Sequence, residues 1–347
     1  MRAAGDNLLE VANLRVSFAT GAGAASVLDG VSMTIRPGEI RGLVGESGCG
    51  KTTLANAILG VLAPNALALD GSIRFCGEEL LTLPARRLQD EIRGRAITFI
   101  PQDPVGAFNP LFSIGVQLME VMKWKSPKRA AREGRGLGGL FSRYSRTRRR
   151  ADIDAVAGML RAVEMPAPGD VFGKLPHELS GGQRQRLMIA LALLPQPRLV
   201  IADEPTTALD VTIQAQVLKL LKSLAKQSGV SVLFTTHDLG TAYEICDRIT
   251  VMYAGQEVET APVDEFFRSP RHPYTVRLLE SLPRPGREPR DMGGEIPALN
   301  RAPPGCRFHP RCARATPLCR AERPGATPLS GGHEVRCFNP VPIARSP

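Results

Sequence analysis

"GESGCGKT" occupies Gly45–Thr52, directly after the apolar run "EIRGLVG" (Glu39–Gly45) and directly before a helical pattern that begins near Lys51 and runs to about Leu62. The octet fits G-x-x-x-x-G-K-[ST] in full, and a strand before it with a helix after it is the context that gives the pattern meaning. Glycines let successive backbone N–H groups turn inward onto phosphate oxygens. The helix N-terminus adds partial positive charge. The stretch Gly45, Glu46, Ser47, Gly48, Cys49, Gly50, Lys51, Thr52 and Thr53 is therefore expected to cradle a triphosphate. Lys51 would reach the β- and γ-phosphates, and the Thr52 hydroxyl would ligate Mg²⁺. Because the cradle is backbone, the Cys49 thiol is expected to do no chemistry.

Outward from this loop, strands and helices alternate. "LLEVANLRVSF" (Leu8–Phe18), "SIRF" and "AITFI" read as strands, and "RLVIAD" (Arg198–Asp203) and "VSVLFTT" (Val230–Thr236) read as buried strands. Thr212–Gln227 is an amphipathic helical pattern, and a broken helical pattern covers Ile114 to about Glu164. Alternation of this kind predicts an α/β fold with a parallel sheet and right-handed crossovers. Asp203 and Glu204 follow the strand "RLVIA". An acid at the carboxyl end of a buried strand suits Mg²⁺, and the next acid suits a water-activating base.

The 347 residues are 43% hydrophobic, enough for one large domain with an appendage or for two domains. The longest apolar run, Leu187–Leu194, is far short of the roughly 18 residues a membrane span needs. The first thirty residues carry no signal-peptide pattern, so a cytoplasmic chain is expected. The net charge of +10 is local: Lys123–Arg150 holds eleven Lys or Arg against one acid, Glu133, and the rest of the chain is balanced at 33 of each. This basic insertion (123–150) reads as a solvated, mobile loop in a helical subdomain, with contact to anionic lipid headgroups as the runner-up. A charge confined in this way argues against a nucleic-acid partner.

"LSGGQRQR" (Leu179–Arg186) decides among nucleotide-binding classes. Ser180 caps a helix, and Gly181 and Gly182 expose backbone N–H groups at its start, followed by Gln183. That is a second anion-binding end on the same chain. Here the chain resembles the ABC ATPases, over about residues 8–260, with LSGGQ as their signature. The resemblance implies a RecA-like core with a parallel sheet, an antiparallel β subdomain and a helical signature subdomain. It implies ATP lying between the phosphate loop of one domain and the signature of a second, facing domain. By the same resemblance Gln102 in "IPQDP" is the Q-loop residue that senses Mg²⁺ and water, and Asp210 in "TALD" is the D-loop aspartate. His237 in "TTHDL" is the switch histidine on the γ-phosphate, and Phe18 stacks on adenine. Thr52, Gln102 and Asp203 are thus the expected Mg²⁺ ligands, and Glu204, His237, Gln102 and Lys51 the expected catalytic set.

Three further stretches resemble the dipeptide and oligopeptide importer group of that family: "QDPVGAFNPLFSIG", "RHPYTVRLLESLP" (Arg271–Pro283) and "PPGCRFHPRC". The resemblance implies an ATPase domain over 1–265 and a C-terminal extension over 266–347. It also implies a second ATPase subunit, alike or related, two membrane permeases, and indirectly a solute-binding protein, with the chain on the cytoplasmic face of the membrane. Nickel- or glutathione-type importers and a non-transport ABC ATPase, such as a phosphonate-lyase accessory, are the alternatives. Cys306, Cys312, Cys319 and Cys337 are spaced C-x5-C-x6-C-x17-C, which matches neither zinc ribbons nor ferredoxins and leaves zinc, iron–sulfur and free thiols open. His309 could replace a ligand in the zinc case. Similarity to relatives with such a tail implies a [4Fe–4S] cluster, with a structural role in a tail too small to fold on its own core.

Overall fold

The structure, a computed structural model, describes residues 7–21, 23–127, 144–206, 210–282 and 293–342. The chain forms two compact units, unit 1 from Met1–Leu83 and Leu233–Pro347, and unit 2 from Pro84–Val232.

Unit 1 opens with β1 (Leu9–Thr20) and β2 (Gly23–Ile35), then β3 (Ile40–Val44), the helix Lys51–Leu59, β4 (Ala66–Phe75) and β5 (Glu78–Glu79). Four of these strands make an antiparallel sheet in the order β2-β1-β4-β5. Leu9, Val11, Leu14 and Val16 are buried, and the spacing slips between Val11 and Leu14, where the pairing shifts register. The helix ends three residues short of the expected Leu62. Gly60 takes the left-handed conformation (φ 65) and its N–H closes on Ala57 and Asn56 carbonyls, a helix end that glycine forms without side-chain strain.

In unit 2, β6 (Ile97–Ile100) and β7 (Leu199–Asp203) pair in parallel from Ile97↔Leu199 to Ile100↔Ala202. All five residues of β7 are buried, as its apolar, β-branched make-up predicts. The helix Val211–Ser228 turns Val217, Leu218, Leu221 and Ala225 inward at helical spacing. Of the basic insertion, residues 128–143 lie outside the described residues. Its described flanks meet at Asp152, which is fully buried in the helix Arg146–Ala162. Asp152 accepts hydrogen bonds from Ser126 Oγ at 3.0 Å and Tyr144 OH at 2.6 Å, and pairs with Arg148 Nε at 3.3 Å.

The unit boundary falls within β8 (Ser231–Thr236), after which unit 1 resumes with β9 (Arg248–Tyr253), β10 (Gln256–Pro262), β11 (Thr327–Pro328) and β12 (Glu334–Val335). Its second sheet runs β11-β12-β10-β9-β3-β8. β3 and β9 are parallel, while β9–β10 is an antiparallel hairpin that sequence periodicity did not mark. The C-terminal segment adds strands to the free edge of β10, pairing Glu259 with Val335. Among the described residues no helix is long and apolar enough to cross a bilayer.

Candidate functional site

Unit 1 carries Phe18, the loop Gly45–Thr53 and His237. β3 delivers the chain into the loop and the helix from Lys51 takes it away. Gly50, at the helix N-cap, has φ 105, and a Cβ there would come within 2.8 Å of Leu28 Cδ2 and 3.0 Å of the Val27 carbonyl. Both the backbone angle and the space demand glycine. Inside the loop the Cys49 N–H donates to the Glu46 carbonyl at 3.2 Å, and the Gly255 N–H donates to the Cys49 carbonyl at 2.9 Å. The Cys49 thiol is buried, and burial pushes its pKa up against the opposing charge of Lys51. Lys51 is only 5% exposed, and its Nζ donates to the Gly45 carbonyl at 2.8 Å and the Glu46 carbonyl at 3.4 Å. The ammonium is thus held over the loop by the loop's own carbonyls.

His237 is exposed just past the end of β8. Its neighbours fix the turn: the Asp238 N–H donates to Thr236 Oγ1 at 3.0 Å, and Asp238 Oδ1 caps the next helix through the Gly240 N–H at 2.8 Å. Phe18 is half-buried near the end of β1, with small cross-strand partners, Ala25 and Ala66.

Unit 2 carries Gln102, Ser180–Gln183, Asp203, Glu204 and Asp210. Ser180 and Gln183 form a reciprocal capping box on the helix Gly181–Leu193. The Ser180 N–H donates to Gln183 Oε1 at 3.0 Å and the Gln183 N–H to Ser180 Oγ at 3.3 Å. Asp210 Oδ1 likewise caps the helix Val211–Ser228 through the Ile213 N–H at 2.9 Å. Asp203 ends β7 and is 5% exposed. Glu204 sits at φ 46, a left-handed conformation that costs an L-residue roughly 1–3 kcal/mol and that proteins hold mostly at functional turns. Gln102 Nε2, just past the end of β6, reaches Glu204 Oε2 at 3.4 Å.

The extension carries Cys306, Cys312, Cys319 and Cys337, all with free thiols. Burial first, then the neighbouring thiols, push the Cys306 pKa up to about 11 and that of Cys337 up to about 12, and Cys312 is raised in the same way. Backbone N–H groups of Phe308 and His309 on Cys306, of Arg314 on Cys312 and of Asn339 on Cys337 pull the other way. Cys319 is buried, with Thr316 Oγ1 3.3 Å and Asn339 Nδ2 3.6 Å from its sulfur. Among the described residues no three or more His, Cys, Asp or Glu side chains stand close enough together to hold a metal ion. His309 turns its Nδ1 to the Cys306 carbonyl at 2.9 Å.

Two residues next to the phosphate loop carry no local sign of that position, although both lie in stretches that resemble the importer group. Tyr274 OH accepts the Glu46 N–H at 3.1 Å, and Arg311 pairs with the Glu46 carboxylate at 3.0 Å. Nothing in either motif names its target, because the partner lies more than 200 positions away.

A family model described as ABC transporter matches residues 28–207, and one described as Oligopeptide/dipeptide transporter, C-terminal region, matches residues 258–319. The oligopeptide transport ATP-binding protein OppD of Salmonella typhimurium is 42% identical over 337 residues, covering 96% of this chain and 94% of that protein. The dipeptide transport ATP-binding protein DppD of Bacillus subtilis is 40% identical over 337 residues, covering 96% and 95%. Among solved structures, the dimeric structure of MJ0796, a bacterial ABC transporter cassette, is similar at TM-score 0.60 and 25% identity, covering 74% of this chain and 98% of that one. The chain belongs to the ABC transporter ATP-binding family and is an ATPase of the ABC fold. Within that family it stands, along nearly its whole length, with the oligopeptide and dipeptide transport ATP-binding proteins.

Proposed function

We propose that this ATPase drives import of peptides or related small solutes, paired with a second ATPase subunit beneath two membrane permeases at the cytoplasmic face, with a solute-binding protein reading the cargo. The observation that carries this is similarity to peptide-transport ATP-binding proteins over 96% of the chain, the C-terminal region included. Deleting the gene should abolish growth on di- or oligopeptides as sole amino-acid source, and Lys51→Ala should fail to restore it. Unimpaired peptide uptake in the deletion strain would refute peptide import.

In this reading the loop N–H groups and Lys51 hold the β- and γ-phosphates, and Phe18 supports the adenine. The all-oxygen donor set of Thr52, Gln102 and Asp203 suits Mg²⁺, which when bound neutralises phosphate charge. Glu204, tethered by Gln102, polarises the attacking water, and His237 steadies the γ-phosphate. Ser180, Gly181, Gly182 and Gln183 close on the triphosphate held by the partner subunit, with Asp210 beside that contact.

The resemblance of the tail makes the four thiols the residues that would hold a [4Fe–4S] cluster, although as placed no three of them stand close enough together to hold a metal ion. Backbone N–H groups turned on three of the sulfurs favour thiolates, working against burial and the neighbouring thiols, which raise those pKa values. Such a cluster would supply cross-links to a segment with little core of its own.

A further inference from the structure

Glu46 is the second residue of the phosphate loop, and the C-terminal half of unit 1 holds it from outside. Its carboxylate accepts two bonds from one guanidinium, Arg311 NH1 to Oε2 at 3.0 Å and NH2 to Oε1 at 3.3 Å. The pair is mostly buried, with side-chain exposures of 5% for Arg311 and 20% for Glu46. The Glu46 N–H donates to Tyr274 OH at 3.1 Å, and its carbonyl accepts from the Cys49 N–H and from Lys51 Nζ. Glu46 therefore ties the loop's own hydrogen bonds to two side chains outside it.

Arg311 is itself over-determined. Its Nε donates to the Gly293 carbonyl at 2.9 Å, its NH1 also reaches Tyr253 OH at 3.3 Å, and its carbonyl accepts Arg277 NH1 at 2.8 Å. The turn that carries it, Cys306–Cys312, is anchored at two more points. Phe308 is buried against Tyr253 and Tyr274, with ring centroids at 5.1 and 5.4 Å. Arg307 pairs with Asp29 at 3.1 Å and donates to the Ala254 carbonyl.

A carboxylate one residue into a triphosphate cradle repels its ligand unless it is neutralised, and a forked guanidinium neutralises it and fixes its direction together. We propose that Arg311 is a positioning residue of the nucleotide site: it cancels the Glu46 charge and pins the entry of the phosphate loop, which makes the C-terminal extension a working part of the ATPase. The proposal holds whether or not the four thiols bind a metal.

The test is a double-mutant cycle on the full chain, reading kcat and KM for ATP and the melting temperature. Arg311→Gln leaves Glu46 unpaired and should raise KM by about tenfold or more with a smaller change in kcat. Arg311→Lys, which keeps charge without the fork, should fall between. Adding Glu46→Gln to Arg311→Gln removes the orphaned charge and should recover most of the lost affinity. An Arg311→Gln enzyme within twofold of wild type in KM overturns the proposal, and so does a double variant no better than the single one. If Arg311→Gln fails to fold, Arg311→Lys decides, since it keeps the charge and loses the fork: a KM raised more than about twofold supports the proposal, and a KM within about twofold of wild type refutes it.

Discussion

Gln102 Nε2 lies 3.4 Å from Glu204 Oε2, joining the turns that follow two adjacent parallel strands, β6 and β7. The amide steers a carboxylate whose backbone is already held in a left-handed turn. In the role proposed for Glu204, a base must present its oxygen to one water in one direction, and both constraints would serve that end.

Glu204→Gln keeps the shape and loses the negative charge. The variant should bind ATP with near-normal affinity while turnover falls by about a hundredfold or more, as expected for loss of a general base. Steady-state phosphate release beside equilibrium ATP binding checks this. Normal turnover would remove Glu204 from the role.

The cysteines give a compositional test. Anaerobically purified protein should contain about four irons and four sulfides per chain and absorb near the visible edge, as a [4Fe–4S] centre requires. Replacing Cys319, the most buried of the four, with serine should abolish the iron and lower the melting temperature. An iron-free, colourless preparation with four alkylatable thiols would leave the extension without a cluster.

His272 supplies a pH test. Its Nδ1 accepts the Tyr274 N–H at 3.1 Å and so caps the helix Pro273–Glu280. Burial pushes its pKa down from 6.5 to about 4, against the upward pull of Glu259. Between those values the unfolded chain binds a proton that the folded chain refuses. Stability is therefore full above 6.5 and falls as the pH drops toward 4, by on the order of 3 kcal/mol. His272→Asn keeps a capping acceptor and removes the titration. In urea melts the gap between wild type and variant should shift in the variant's favour as pH falls through this window. A gap that does not change with pH contradicts the assignment.

Much of this was legible in the sequence. The phosphate loop announces itself because glycine spacing, lysine and the flanking strand and helix are all local. The buried strand before Asp203 reads correctly because it is apolar throughout. β10, "QEVETAP", was not legible: its buried Glu257 and Glu259 look like surface residues. In the fold Glu257 accepts the Ser32 N–H and pairs with Arg336, and Glu259 takes the Arg271 and His272 N–H groups and His333. Buried carboxylates satisfied by distant partners erase the period that marks a strand. The Arg311–Glu46 pair was hidden for the same reason, since each half makes sense only beside the other.

In the proposed ATPase pair, two half-sites remote along the chain complete one nucleotide site across two subunits. The most direct measurement is a structure of the Glu204→Gln variant with Mg²⁺–ATP and its ATPase partner. It should show one triphosphate gripped by Lys51 of one subunit and by the signature turn that begins at Ser180 in the other. ATP enclosed by a single subunit, with residues 179–183 distant from every triphosphate, would contradict it.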